Sequence, residues 1–397
     1  MKKLNSILFP FLLVSYEMAI YLSTDMYLPA LPQMAHALKV SDDLIQLSLT
    51  LWFLGSASLQ LLAGPLSDYY GRRPVLLGGG LCFLISTFVC AFSNDITILL
   101  IARFVQGTAI CSAIVAGYAA IHESHNQTSA IQILAWMSSI TILAPAVGPI
   151  LGGLLLFIGD WHVIFMVLGI WGALSIGLLF KFMPETNPDG KNLHPIHYKK
   201  LLHNYALIFK NRDFQTHTFT FCCLFGGFIA WISAGAFLVV NSFHYSVMMF
   251  TFFQALIFGA FILGTRLVKP LLNRLGPQRL IYLGVSCCLV GTLAATACTT
   301  AFPKQILGLI IPLMLYGLGA SFSFSPLSRL AVESSSQAMG AKMAMYSSGI
   351  SVSGVVASSL VMFIYNGQLN SLAYLLAAFS VIAGLLQWQY PKLFKKT

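Results

Sequence analysis

Long apolar stretches separated by short polar runs recur from one end of the chain to the other. A helix that crosses a bilayer needs about 20 mostly apolar residues. That criterion predicts helices near 7–31, 43–66, 74–93, 97–122, 129–157, 162–181, 214–241, 249–271, 279–300, 305–330, 339–364 and 370–389. The longest polar stretch, 182–213, opens with the turn-rich run Pro184-Glu185-Thr186-Asn187-Pro188-Asp189-Gly190. It continues with Tyr198, Leu201, Leu202, Tyr205, Ile208 and Phe209 at helical spacing, among Lys199, Lys200, Lys210 and Arg212. Two readings of it stay open: an amphipathic basic helix lying on the inner membrane surface, or a plain solvated linker. The pattern divides the chain into a six-helix bundle over 1–181, a linker over 182–213 and a second six-helix bundle over 214–397.

Composition agrees with a membrane chain. Hydrophobic residues fill 57% of the 397 positions and only 9% are charged, where a soluble domain carries about a quarter charged residues. A soluble protein of this length would have to expose large apolar patches. The net charge of +10 does not point to nucleic acid, because the cations lie in short clusters with no aromatic-interleaved basic face. Their placement orients the chain instead. With both termini cytoplasmic, only Lys39 and Lys304 of the 22 Lys and Arg fall outside and only Arg103 lies within a span, leaving 19 inside or at inner span ends. These include Lys2, Lys3, Arg72, Arg73, Lys199, Lys200, Arg274, Arg279, Lys342 and the Lys392–Lys396 tail. The apolar run after Lys2-Lys3 continues past Glu17 to Pro29 without a small-residue cleavage site. It is therefore read as the first span. The eight cysteines all fall in apolar stretches without metal-ligand spacing, so they read as packing residues and no cofactor or metal is expected.

The two bundles repeat one another. Pro65-Leu66, Asp68 and Gly71 recur 205 residues later as Pro270-Leu271, Asn273 and Gly276. Gly107, Glu123 and Ser124 recur 210 residues later as Gly317, Glu333 and Ser334. Parallel six-helix repeats are a transporter plan, with the substrate site between them near the midplane.

Charged residues inside spans narrow the chemistry. A carboxylate in a span is costly and is a functional hypothesis by default. The first span holds two, Glu17 and Asp25. Eight residues of helix separate them by about 12 Å of rise and roughly 80° of rotation, so both can border one central cavity at different depths. Such a group can load a proton and release it when a cation arrives. Asp25 has two alternatives: permanent pairing with Arg103, or capping the helix break at Pro29 and Pro32. Glu17 has a lipid-facing or merely cavity-lining one. Arg103 has no counterpart in the second half, where Leu313 stands. A buried arginine needs a carboxylate or a wet cavity, so it is expected to face the cavity and modulate Asp25, a structural pair being the competing reading. Tyr21 lies one turn from both carboxylates. Tyr118 and Trp231 are further aromatic candidates for flat or cationic ligands, against the plainer reading of packing.

Several runs resemble one family. Gly64-Pro65-Leu66-Ser67-Asp68-Tyr69-Tyr70-Gly71-Arg72-Arg73-Pro74 resembles the loop signature of the major facilitator superfamily. Arg103-Phe104-Val105-Gln106-Gly107 resembles its fourth-helix motif, and Pro145-Ala146-Val147-Gly148-Pro149-Ile150-Leu151-Gly152-Gly153 resembles the fifth-helix motif of drug:proton antiporters. Thr24-Asp25-Met26-Tyr27-Leu28-Pro29-Ala30-Leu31-Pro32 is similar to the first helix of Bcr/CflA-type exporters. Glu17 with Asp25, and the stretch Gly117–Ser124, are similar to MdfA-type multidrug antiporters. The likeness is specific over about the first 190 residues. In the second half Lys269 and Asn273 replace the first Gly and the Asp of the loop signature.

The resemblance implies the major facilitator fold, with twelve spans and both termini cytoplasmic. It implies proton-coupled efflux of lipophilic drugs by alternating access from a bacterial inner membrane, by a chain acting as a monomer without nucleic acid. Proton coupling falls to Asp25, Glu17 and Arg103, and substrate contact to Glu17, Tyr21, Asp25, Gln106 and Tyr118. Gating falls to Gly64, Asp68, Gly71, Arg72, Arg73, Glu123, Pro145, Gly148, Pro149, Gly152 and Gly153. A dedicated exporter of one metabolite, such as a siderophore, fits the same motifs. No Walker-type loop, H-E-x-x-H or G-x-S-x-G occurs, which speaks against an ATP-driven pump and an embedded enzyme.

Overall fold

A computed structural model describes residues 2–186 and 198–394. Asn187–Gly190 of the breaker run and Lys395-Lys396 of the basic tail lie outside the described residues. The described chain is helical, and polar residues of the short loops start many of its helices. Ser41 caps α3 (Asp42–Tyr70), Asp95 caps α5 (Ile96–Cys111), Asn126 caps α7 (Gln127–Thr141) and Asp160 caps α9 (Trp161–Phe182). Each side chain accepts a backbone N–H that the first helical turn leaves free. The remaining helices of this half are α1 (Lys2–Asp25), α2 (Leu31–Ala37), α4 (Arg72–Phe92), α6 (Tyr118–Ser124) and α8 (Ala144–Leu155).

Among the described residues nine helices are long and apolar enough to cross a membrane, or ten where the bent pair of α7 and α8 is counted as one span. One of the nine, α12 (Val247–Ala301), runs for 55 residues and breaks at Gly276, whose φ of 75° is not helical. Its two limbs fall on two of the expected spans, and α1 falls on the first expected one. The first expected span differs in detail. The helix stops at Asp25 instead of running to residue 31, a 3₁₀ turn follows over Leu28–Ala30, and α2 then begins. Pro29 accounts for this, since it has no N–H to donate to the Asp25 carbonyl one turn back. Pro32 sits in the first turn of α2, where no N–H is needed.

The chain forms two compact units that divide between His203 and Asn204. In the first, α1 packs on α8 and α9, and α3 and α4 pack on α5. In the second, α12 packs on α13 (Leu307–Glu333), and α11 (Arg212–Phe237) packs on α14 (Met339–Ile364) and α15 (Leu369–Phe394). The linker helix α10 spans Tyr198–Lys210.

The repeat read from the sequence is a repeat of contacts. A methyl added at Gly107 would strike the Trp52 carbonyl, and one added at Gly317 would strike the Ile257 carbonyl. The two pairs are related by the same offsets of 205 and 210 residues. Outward faces carry exposed apolar side chains such as Leu81, Ile101, Leu174 and Phe363. A bilayer satisfies such faces, and helices satisfy their own backbone within it.

Candidate transport site

Helix α1 carries Glu17, Tyr21 and Asp25 on successive turns. Side chains add bonds in its last turn: Ser23 Oγ donates to the Ile20 carbonyl and Thr24 Oγ1 to the Tyr21 carbonyl, both at 2.6 Å. Asp25 ends the helix and is 5% exposed. Helix α8 presses on it there. A Cβ at Gly148 would meet the Asp25 side chain, and one at Gly152 would run into the Met26 carbonyl. These glycines thus let two backbones touch at the carboxylate. Pro149 and Gly153 are buried in α8 beside them, while Pro145 is half-buried in its first turn.

Glu17 is fully buried. One of its oxygens accepts from the Tyr118 hydroxyl at 2.7 Å, and the other has no hydrogen-bond partner. Tyr118 comes directly after the π-helical segment Ser112–Gly117, which interrupts the fourth crossing between α5 and α6. Such segments shift the register of the residues beyond them and recur at functional sites. Tyr21, between the carboxylates, is half-buried.

Arg103 is fully buried in α5. It donates to the Ser23 carbonyl at 3.0 Å and to Gln106 Oε1, while Gln106 Nε2 donates to Thr87 Oγ1 at 2.7 Å. The guanidinium lies over the Tyr27 ring at 4.4 Å and near the Phe165 ring at 6.0 Å. A desolvated cation–π contact contributes about 2 kcal/mol. Among the described residues no ion pair joins Arg103 to Asp25. Its Nε and Nη2 also lack hydrogen-bond partners. The charge is therefore held next to the α1 break by a carbonyl, an amide and two rings.

A second cluster gathers the loop residues. Gly71 has a φ of 98°, a conformation glycine adopts without a Cβ penalty. This turns α3 into α4 and brings Arg72 to Asp68 at 2.5 Å and to Glu123 at 2.8 Å. Arg72 also donates to Ser67 Oγ at 2.9 Å. Arg73 donates to the Phe180 carbonyl at 2.6 Å. Gly64, one turn before Asp68, would meet only a Val115 methyl at 4.0 Å if it gained a Cβ. Space does not demand glycine there.

Sequence reasoning missed the partners that complete both groups. Glu185 accepts from the backbone N–H of Arg72 at 3.1 Å and of Arg73 at 3.2 Å, where the start of α4 favours negative charge. Thr186 donates to Glu123 at 2.6 Å. Pro184-Glu185-Thr186 reads locally as a turn, and nothing in its spacing points to partners 63 to 113 positions away. Thr87 carries no mark in the sequence, and Tyr27, though part of the quoted first-helix run, has none that ties it to Arg103. Among the described residues no group of three His, Cys, Asp or Glu side chains is arranged to hold a metal ion.

Comparison with known proteins gives a family and a fold. A family model described as Major Facilitator Superfamily matches residues 13–358. The Multidrug transporter MdfA of Edwardsiella piscicida is 32% identical over 390 residues, covering 96% of this chain and 92% of that protein. The Multidrug resistance protein MdtM of Salmonella typhimurium is 30% identical over 339 residues, covering 85% and 82%. A solved POT family transporter in complex with 5-aminolevulinic acid superposes with a TM-score of 0.75 at 12% identity, over 98% of this chain and 96% of that one. A point mutant of the nucleoside transporter NupG gives 0.72 at 16% identity over 97% and 100%. At those identities the two structures support the fold alone.

Proposed function

The chain belongs to the major facilitator superfamily and is a multi-pass membrane transporter, and from that premise we propose that it exports lipophilic drugs in exchange for protons. The carrying observation is the pair of carboxylates in α1. Glu17 is buried with one oxygen unpartnered, and Asp25 is buried at a helix break against α8. An ionised carboxylate without a cation or donors is costly in such surroundings. Each group is therefore neutral when protonated and gives up its proton when a substrate cation supplies the compensating charge. Arg103, close to the same break, biases Asp25 through the field and not through a direct bond. Tyr21 and Tyr118 offer aromatic and hydroxyl contacts, and Gln106 holds Arg103 in place.

In this reading α8 and the charged loop cluster are the moving seals. The glycine contacts of α8 on Asp25 and Met26 couple the protonation site to helix packing. The Arg72–Asp68–Glu123 cluster lies on the cytoplasmic side of a bacterial inner membrane, as the lysine and arginine bias supports, and one chain acts alone.

The test is transport by purified protein in liposomes under an imposed pH gradient, with a lipophilic cation and a neutral drug. Gradient-driven uptake lost in Asp25→Asn supports the proposal. Gradient-driven transport that survives in the Asp25→Asn/Glu17→Gln double variant rules it out. Transport of neither compound by folded protein would redirect the reading to a dedicated metabolite exporter.

A further inference from the structure

Helix α10 has three sides of different character. Tyr205 and Ile208 are buried against the protein, at 7% and 0% exposure. Leu202 and Phe209, seven residues apart and hence on one line of the helix, are 66% and 50% exposed. Lys199 and Lys210 are exposed on the adjoining side, about 60–80° further round the helix axis from Leu202.

The apolar strip is not isolated. The Phe209 ring meets the Phe219 ring edge-on, with centroids 6.4 Å apart. Phe219 is itself 44% exposed on α11, a membrane-crossing helix. The strip thus continues onto exposed apolar surface of a span. The charge is unbalanced: α10 contains three lysines and no carboxylate among its thirteen residues. Neither Lys199 nor Lys210 forms an ion pair with a described residue, and exposed Arg212 follows at the start of α11.

We propose that α10 docks on the anionic headgroups of the leaflet beside the linker, its Leu202/Phe209 strip in the acyl boundary and its lysines on lipid phosphates. Water would leave the strip exposed, and a neutral lipid surface would leave the lysines without counter-charge. An anionic leaflet satisfies both, and basic side chains near such a surface each strengthen binding by about fivefold. The leaflet is the cytoplasmic one in the orientation proposed above. The docking does not depend on what the protein carries.

Hydrogen–deuterium exchange of the full-length protein in nanodiscs tests this, comparing phosphatidylcholine alone with phosphatidylcholine mixed with phosphatidylglycerol. Amides of 198–210 should gain about tenfold protection in the anionic discs, with exchange in α11 unchanged. Lys199→Gln/Lys210→Gln should abolish that lipid dependence, and Phe209→Ser should lower protection in both discs. Equal protection of the wild type in the two lipids, or a lipid dependence that survives in the lysine variant, would overturn the proposal. A protein that shows the dependence yet pumps no drug keeps the docking and loses only the transport reading.

Discussion

The same backbone turn occurs twice in this protein and is held in two different ways. Gly71 and Gly276 both take positive φ, 98° and 75°, at equivalent places in the two six-helix units. Around Gly71 the contacts are ionic: Arg72 reaches Asp68 and Glu123, and Glu185 sits on the start of α4. Around Gly276 they are neutral. Gln278 donates to Gln387 at 3.2 Å, and Gln387 donates to Thr220 at 2.9 Å. The acid equivalent to Glu123, Glu333, pairs with Arg329 one turn back in its own helix at 2.8 Å. The site helices differ likewise: α1 carries Glu17 and Asp25, whereas Asp213 in the first turn is the one carboxylate of α11. Duplication has kept the path of the chain, and titratable chemistry is concentrated in the first copy.

The largest expected effect breaks that asymmetry at the carboxylates. Asp25→Asn should reduce gradient-driven transport to background, while Asp213→Asn should leave it near wild type. Liposome uptake at fixed protein density compares them directly, and equal losses would mean that coupling is shared between the units. Next come the fifth and eleventh crossings. Gly152→Ala drives a methyl into the Met26 carbonyl and should destabilise by about 1–3 kcal/mol, besides displacing the end of α1. A methyl at Gly349 would meet only the Thr218 and Cys222 side chains, at 3.2 and 3.6 Å. Gly349→Ala should therefore change thermal unfolding by less than about 1 kcal/mol.

The loops themselves come third. Arg72→Ala removes the centre of a partly buried ionic cluster and should cost about 2 kcal/mol, allowing for the exposure of Asp68 and Glu123. Gln278→Ala breaks a neutral bond and should cost about 1 kcal/mol. Unfolding in detergent with and without added salt separates the two, because salt screens only the ionic cluster.

How far each part is legible in the sequence depends on the range of the interaction. Apolar run length predicts spans because each run answers to the bilayer alone, and the nine described helices long and apolar enough to cross a membrane all fall on expected spans. The loop signature is legible because Asp68, Gly71 and Arg72 act on one another within a few residues. The Arg103 site is not. Its contacts come from α1, α5, α4 and α9, and only packing reveals that a carbonyl and two rings occupy the place expected for Asp25. The break at Asp25 is half visible, since Pro29 and Pro32 announce a helix end without saying that it comes four residues before the first proline.

Glu185 gives the smallest effect and the sharpest use of the comparison. Its carboxylate accepts from two backbone N–H groups that begin α4 and would touch any side chain placed at Gly71. A methyl at Gly276 would meet no atom within 4 Å, so among the described residues no side chain sits against that turn as Glu185 does against Gly71. Glu185→Gln keeps an acceptor oxygen and removes the charge, and should cost about 0.5–1 kcal/mol through the helix dipole. Glu185→Ala removes the acceptor as well and should cost about 1–2 kcal/mol. If the cap serves only stability, both variants shift thermal unfolding and leave transport per folded molecule unchanged. If it holds the first loop in one of two arrangements, Glu185→Gln should alter the transport rate beyond its stability cost, and Arg72→Ala should abolish that extra effect because the clamp is already open. The double variant decides between a static cap and a working latch.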